Sequence, residues 1–156
     1  MDIKTLGQKY NLNGEIDLWK CHNSWILTHD AITKIATIEK NKLSNIESIY
    51  QSETSCRFLV TMVREDDDQN VVDSITSVGE ADKSNCKQNY LSCMAEKRGI
   101  DRCVLKLINA YEYGVYSEVE ADDFKKNKPV KSKTYYSEEF NVSDNIDIDC
   151  AIKEGN

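Results

Sequence analysis

The residues best placed to do chemistry lie in the run Met94-Ala-Glu-Lys-Arg-Gly-Ile-Asp-Arg-Cys-Val-Leu-Lys-Leu-Ile108. Arg98, Arg102 and Lys106 recur at i, i+4 and i+8, so a helix holds them in one basic row. The chain contains 16 lysines and only 4 arginines, and two of the arginines stand in this row. Arginine's rigid fork of donors matches phosphate. The row therefore reads as a contact for a polyanion, with Lys97 as a further cation. Ile100, Val104, Leu107, Ile108 and Tyr111 form a second, apolar stripe that anchors the same helix in a core. A solvated helix face is the plainer reading. In it Arg98 and Lys97 pair with Asp101, and Arg102 pairs with Glu96 or with a residue of a sheet beneath.

Other reactive groups do not assemble into a site. The chain has no GxxxxGK[ST] loop for nucleotide phosphates and no HExxH helix for zinc. Cys21, His22 and His29 are soft ligands at a spacing that fits no zinc pattern. Glu65, Asp66, Asp67 and Asp68 lack the alternating ligands and central glycine of a calcium loop, and read as a solvated turn. Cys103 as a nucleophile needs a histidine nearby, and both histidines are distant in sequence; a packed thiol is the simpler expectation. The expectation is a binding protein with no catalytic residues, no metal and no cofactor.

Composition bounds the class of partner. A net charge of −7 over 156 residues excludes a generally basic coat, so a nucleic-acid site must be a local patch on an acidic body. Six cysteines with no CxxC pair, and a polar start from Met1 to Asn11, read as reduced thiols in a cytoplasmic protein without a signal peptide. No stretch approaches the roughly 18 apolar residues of a membrane span. Lys, Asn and Ile total 43 residues against one proline, the bias of an AT-rich genome, which makes the retained arginines more telling.

These features need elements to position them. Residues 1–24 are mixed and polar, with Leu12, Ile16, Leu18 and Trp19 as a short lead-in strand. Trp25-Ile-Leu leads into a helix capped by Thr28, with Asp30 in its first turn and Ala31, Ile35 and Ile38 aligned, running to about Lys40. Three strands follow: Ile46 to Tyr50, the near-continuous apolar run Arg57 to Val63, and Val71 to Val78, ended by Gly79. An acidic turn joins the last two. After a polar connector from Ala81 to Asn89, the long helix spans Gln88 to Ala110. Ser117 and Glu120 have capping-box spacing for a short helix over Val119 to Phe124. The expected fold is α+β: a β-β-β-α core with a three-stranded antiparallel sheet, a preceding helix and a long helix packed on the sheet. Residues 1–124 read as one domain. Residues 125–156 read as a basic linker around Pro129 and an acidic flexible tail, with a strand near Tyr135.

The order strand, acidic turn, strand ending in Gly79-Glu80-Ala81, then Tyr90-Leu-Ser-Cys-Met-Ala-Glu-Lys-Arg-Gly-Ile-Asp-Arg-Cys-Val-Leu-Lys-Leu resembles the single-strand annealing proteins. These are the RecT, Red-beta and ERF types of phage and the eukaryotic Rad annealing recombinase. Their helix is often written A-E-x-R-A-x-x-R-A-L. Ala95, Glu96, Arg98 and Arg102 stand at its places, with Gly99 and Cys103 for the alanines. The resemblance covers residues 25–124. It implies ATP-independent binding and annealing of single-stranded DNA in phage-type recombination, by a homo-oligomeric ring or filament. It also implies DNA contacts at Arg98, Arg102, Lys106 and Lys97, and a phage exonuclease or host replication protein as partner. The alternative is a non-annealing single-strand-binding or protein-interaction module of the same fold.

Overall fold

The computed structural model describes residues 2–87 and 89–125, the last four as backbone. The linker, the tail and the strand expected near Tyr135 lie outside the described residues.

The chain opens with α1 (Ile3–Lys9), where the sequence suggested no element. Asp2 caps it, its Oδ1 accepting from the Thr5 amide at 2.8 Å. Ile3 and Leu6 fall on one side and are buried with Tyr10 and Leu12. Of the lead-in strand only Leu18 and Trp19 are in a strand, while Leu12 and Ile16 lie in the connection before it; Leu18 and Trp19 belong to one half of a hairpin, β1 (Leu18–Cys21) and β2 (Ser24–Leu27), turned at His22 with φ 54°. Trp25-Ile-Leu, expected to lead into a helix, is therefore a strand, with Ile26 and Leu27 fully buried. Then α2 (His29–Ile38) starts where Thr28 predicts: the Thr28 hydroxyl accepts from the Ala31 amide at 3.1 Å.

The three expected strands are present and longer than the periodicity suggests: β3 (Asn41–Gln51), β4 (Ser55–Glu65) and β5 (Val71–Asp82). They form an antiparallel sheet in the order β3-β4-β5. The apolar run is the central strand, as its continuity implies. Cys56, Val60 and Met62 are buried on one face, while the intervening Leu59, Thr61 and Val63 are only partly covered. In the acidic turn, Asp66 accepts from the Asp68 and Asn70 amides at 2.9 Å each, and these bonds hold its carboxyl below the usual range.

Helix α3 (Leu91–Leu107) crosses the buried face, mainly over β4 and β5. Val104 and Leu107 are buried and Ile100 and Ile108 partly so, against Val60, Met62 and Phe58. Gly79 does not end β5 but sits inside it, beneath α3. A Cβ there would lie 1.8 Å from the Ala95 carbonyl oxygen and 2.6 Å from the Gly99 nitrogen. A Cβ on Gly99 would meet Val60 Cγ2 at 2.4 Å. Two glycines face to face thus set how closely helix and sheet approach.

A 3-10 turn (Ala110–Tyr113) then leads to β6 (Val115–Ser117), which pairs parallel with β2 to complete a second sheet, β1-β2-β6. Helix α4 (Glu118–Lys125) follows. Its start uses part of the expected box: the Ser117 amide and hydroxyl donate to Glu120 Oε2 at 3.2 and 3.3 Å.

Candidate nucleic-acid interface

The basic row of α3 lies along β5, an edge strand. Successive members of the row are about 6 Å apart along the helix axis. Alternate residues of a strand repeat at about 6.7 Å. The two repeats match, and each arginine finds a carbonyl. Arg98 Nη1 donates to the Glu80 carbonyl at 2.7 Å, and Arg102 Nη1 to the Val78 carbonyl at 2.7 Å. Lys106 Nζ reaches the Ser77 hydroxyl at 3.0 Å. Helix and strand run in opposite senses, so the row descends β5 as α3 ascends. Cations bound to the acceptors of an edge strand also discourage a foreign strand from adding there.

The four candidate contacts thus have different surroundings. Arg98 is buried, 5% exposed, and also donates to Asn85 Oδ1 at 2.8 Å and the Asn85 carbonyl at 2.9 Å. It clamps the connector between β5 and α3, and its guanidinium is not presented to solvent. Arg102 is half-buried and its Nε donates to Glu120 Oε1 at 3.0 Å, so a carboxylate balances its charge. Lys106 is exposed. Among the described residues, no carboxylate lies within ion-pair distance of Arg98 or Lys106. Lys97 stands about 180° around the helix from Lys106, at 100° per residue. It faces Glu118 of α4 at 4.0 Å. The structure brings Arg98, Arg102 and Lys106 together and leaves Lys97 on another side. Neither expected pairing with Asp101, nor that of Arg102 with Glu96, occurs; Arg102 does bond the sheet.

Asp101 instead meets His29, which sequence distance had set aside. Its Oδ1 lies 2.6 Å from His29 Nδ1, and its Oδ2 is buried without a partner. Burial pushes the Asp101 carboxyl up, against the hydrogen bond from His29. Glu118 accepts from the His29 amide at 3.0 Å, so the group ties α2, α3 and α4 together. Tyr111 donates to Glu120 Oε1 at 3.1 Å; burial and then the Glu120 charge drive its hydroxyl pKa upward. Cys103 is fully buried, its Sγ 3.3 Å from the Val60 carbonyl oxygen, and burial pushes its thiol up. Among the described residues no cluster of three or more His, Cys, Asp or Glu could hold a metal, and no helix is long and apolar enough to cross a membrane.

A cleft of about 410 Å³ opens at the far end of the row, where α1, α2, β4, β5 and the end of α3 meet. Lys106 lines it, with Arg64 and Asp73 paired at 2.9 Å across the sheet. Arg64 Nη1 also donates to the Leu107 carbonyl at 3.4 Å, at the negative end of α3. Glu39 takes hydrogen bonds from Lys9 and Tyr10. Burial pushes its carboxyl up, but these bonds outweigh it and hold the group below its usual value. No sequence pattern announces this cleft, because its residues come from five separate elements.

No protein-family model, no curated protein and no solved structure matches the chain.

Proposed function

We propose that the chain binds single-stranded DNA through the exposed end of the α3 basic row and anneals complementary strands without a nucleotide cofactor, working as a homo-oligomer. One observation carries the reading: three cations, Arg98, Arg102 and Lys106, are aligned at a regular repeat along one sheet edge, and two of them meet only neutral partners. The two uncompensated charges, Arg98 and Lys106, stand on either side of the balanced Arg102 along the row, and positive charge so placed suits a polyphosphate chain and reads no base sequence. The β-β-β-α order with the Ala95 to Val104 motif, as in the single-strand annealing proteins, supports the same conclusion. Within it the roles divide. Lys106 touches phosphate; Arg102 lies close enough to exchange Glu120 for phosphate; Arg98 positions the connector and adds its charge from beneath.

An acidic body makes each site weak. Many subunits along one strand convert weak sites into a stable complex. The test is fluorescence anisotropy on a labelled oligonucleotide over a salt series. Affinity falls steeply with salt and is the same for different sequences. Lys106→Glu weakens binding and lowers the slope of log K against log salt by roughly 0.7 for the lost contact. Lys97→Glu, on the other side of the helix, leaves the slope unchanged. Equal slopes for the parent and Lys106→Glu refute the assignment.

A further inference from the structure

We propose that the cleft at the end of α3 receives one nucleotide of the bound strand, its base lying against the apolar wall and its phosphate on Lys106. This rests on the single-strand reading above. Lys106 belongs to both features: it ends the basic row and it lines the cleft. A strand following the row from Arg98 to Lys106 must place its next unit over the opening. The volume, about 410 Å³, lies at the small end of the range for small-ligand sites, roughly 300–1,000 Å³. It offers room for a single nucleotide.

The lining suits a base. Ile75, Leu107 and Ile108 give apolar surface for a flat ring. Arg64 and Asp73, each partly exposed, present donors and an acceptor at the rim, where base edges carry both. The opposed charges of Lys9, Arg64, Asp73 and Glu39 cancel, which disfavours a free polyanion and favours a neutral ring tethered to a phosphate. One lodged base fixes the register of the strand on the subunit while the neighbouring bases remain free to pair.

The experiment compares an oligothymidine with an abasic deoxyribose-phosphate strand of equal length, by anisotropy on the full chain. The base-bearing strand binds roughly five- to tenfold more tightly, the scale of one base packed against a protein surface. Ile108→Phe, which fills the cleft, shrinks that ratio and leaves abasic binding unchanged; Asp73→Asn, which alters its rim, shrinks the ratio while its lost negative charge tightens the abasic strand. Two results overturn the inference while sparing the DNA reading: equal affinity for the two strands, or a base preference that neither variant changes. If neither strand binds, the DNA reading fails and this inference falls with it.

Discussion

Replacing Gly79 by alanine should be among the most damaging single changes to this fold. The new Cβ would lie 1.8 Å from the Ala95 carbonyl oxygen, 2.6 Å from the Gly99 nitrogen and 2.9 Å from the Ala95 carbonyl carbon. All three are backbone atoms, so no rotamer change relieves the contact. Ordinary contact at such a position is 3.4–4 Å, and α3 must rise by about 1.5 Å along its crossing to reach it. That lift parts Cys103 and Val104 from Val60 and Met62, all buried in one core. Overpacking costs about 1–3 kcal/mol where side chains adjust; backbone on both sides puts this case at about 3 kcal/mol or above. The melting temperature then falls by roughly 10 °C for a domain of this size. Thermal unfolding by circular dichroism measures it. Melting within about 2 °C of the parent would refute the crossing geometry.

Further changes test the neighbouring claims. Gly99→Ala clashes with the Val60 side chain, and Val60→Ala should offset much of that cost; a purely additive double variant would contradict the contact. Arg98→Lys removes the fork that bonds the Glu80 carbonyl and both Asn85 oxygens, and should cost about 2–4 kcal/mol in urea unfolding; a neutral result would mean the clamp is dispensable. Burial raises the Asp101 carboxyl above its ordinary 3.8, so the stability it leaves intact below that pH is lost as pH rises through the raised value. Asp101→Asn should flatten that decline, and identical urea midpoints across the window would contradict it. Glu39 has the opposite sign. Its stability is present above the ordinary 4.5 and lost as pH falls through its lowered value, so Glu39→Gln should lose less on acidification than the parent.

Much of this fold is written locally. The unbroken apolar run of β4 requires a central strand, and Thr28 and the box of Ser117 with Glu120 mark two helix starts. The misreadings have physical causes. In α1 only Ile3 and Leu6 carry the apolar signal, too few to show a period. Ile26 and Leu27 look like a helix entry because β2 is only four residues long and wholly dependent on its neighbours β1 and β6. Gly79 reads as a strand terminator because glycine usually is one. The signal that could have corrected this is Ala95, Gly99 and Cys103 at i, i+4 and i+8, a stripe of small residues that predicts close approach to a sheet. The arginine row itself was legible as a row. Of its partners only the sheet against Arg102 was legible; the rest were not, because backbone carbonyls and the Asn85 amide are acceptors that no charge pattern reveals. Likewise His29 and Asp101, 72 residues apart, meet only through the packing of α2 on α3.

On the proposed function, this chain brings complementary single strands together unaided. The most direct test mixes two complementary labelled oligonucleotides and follows their pairing by energy transfer, with no ATP present and at low salt. The parent chain should accelerate pairing well above the spontaneous rate, acceleration should fade as salt rises, and Lys106→Glu should lose most of it while remaining folded. Pairing at the spontaneous rate with both strands demonstrably bound would contradict annealing and leave a strand-binding module. Failure to bind either strand would rule out single-stranded DNA as the ligand of the α3 row.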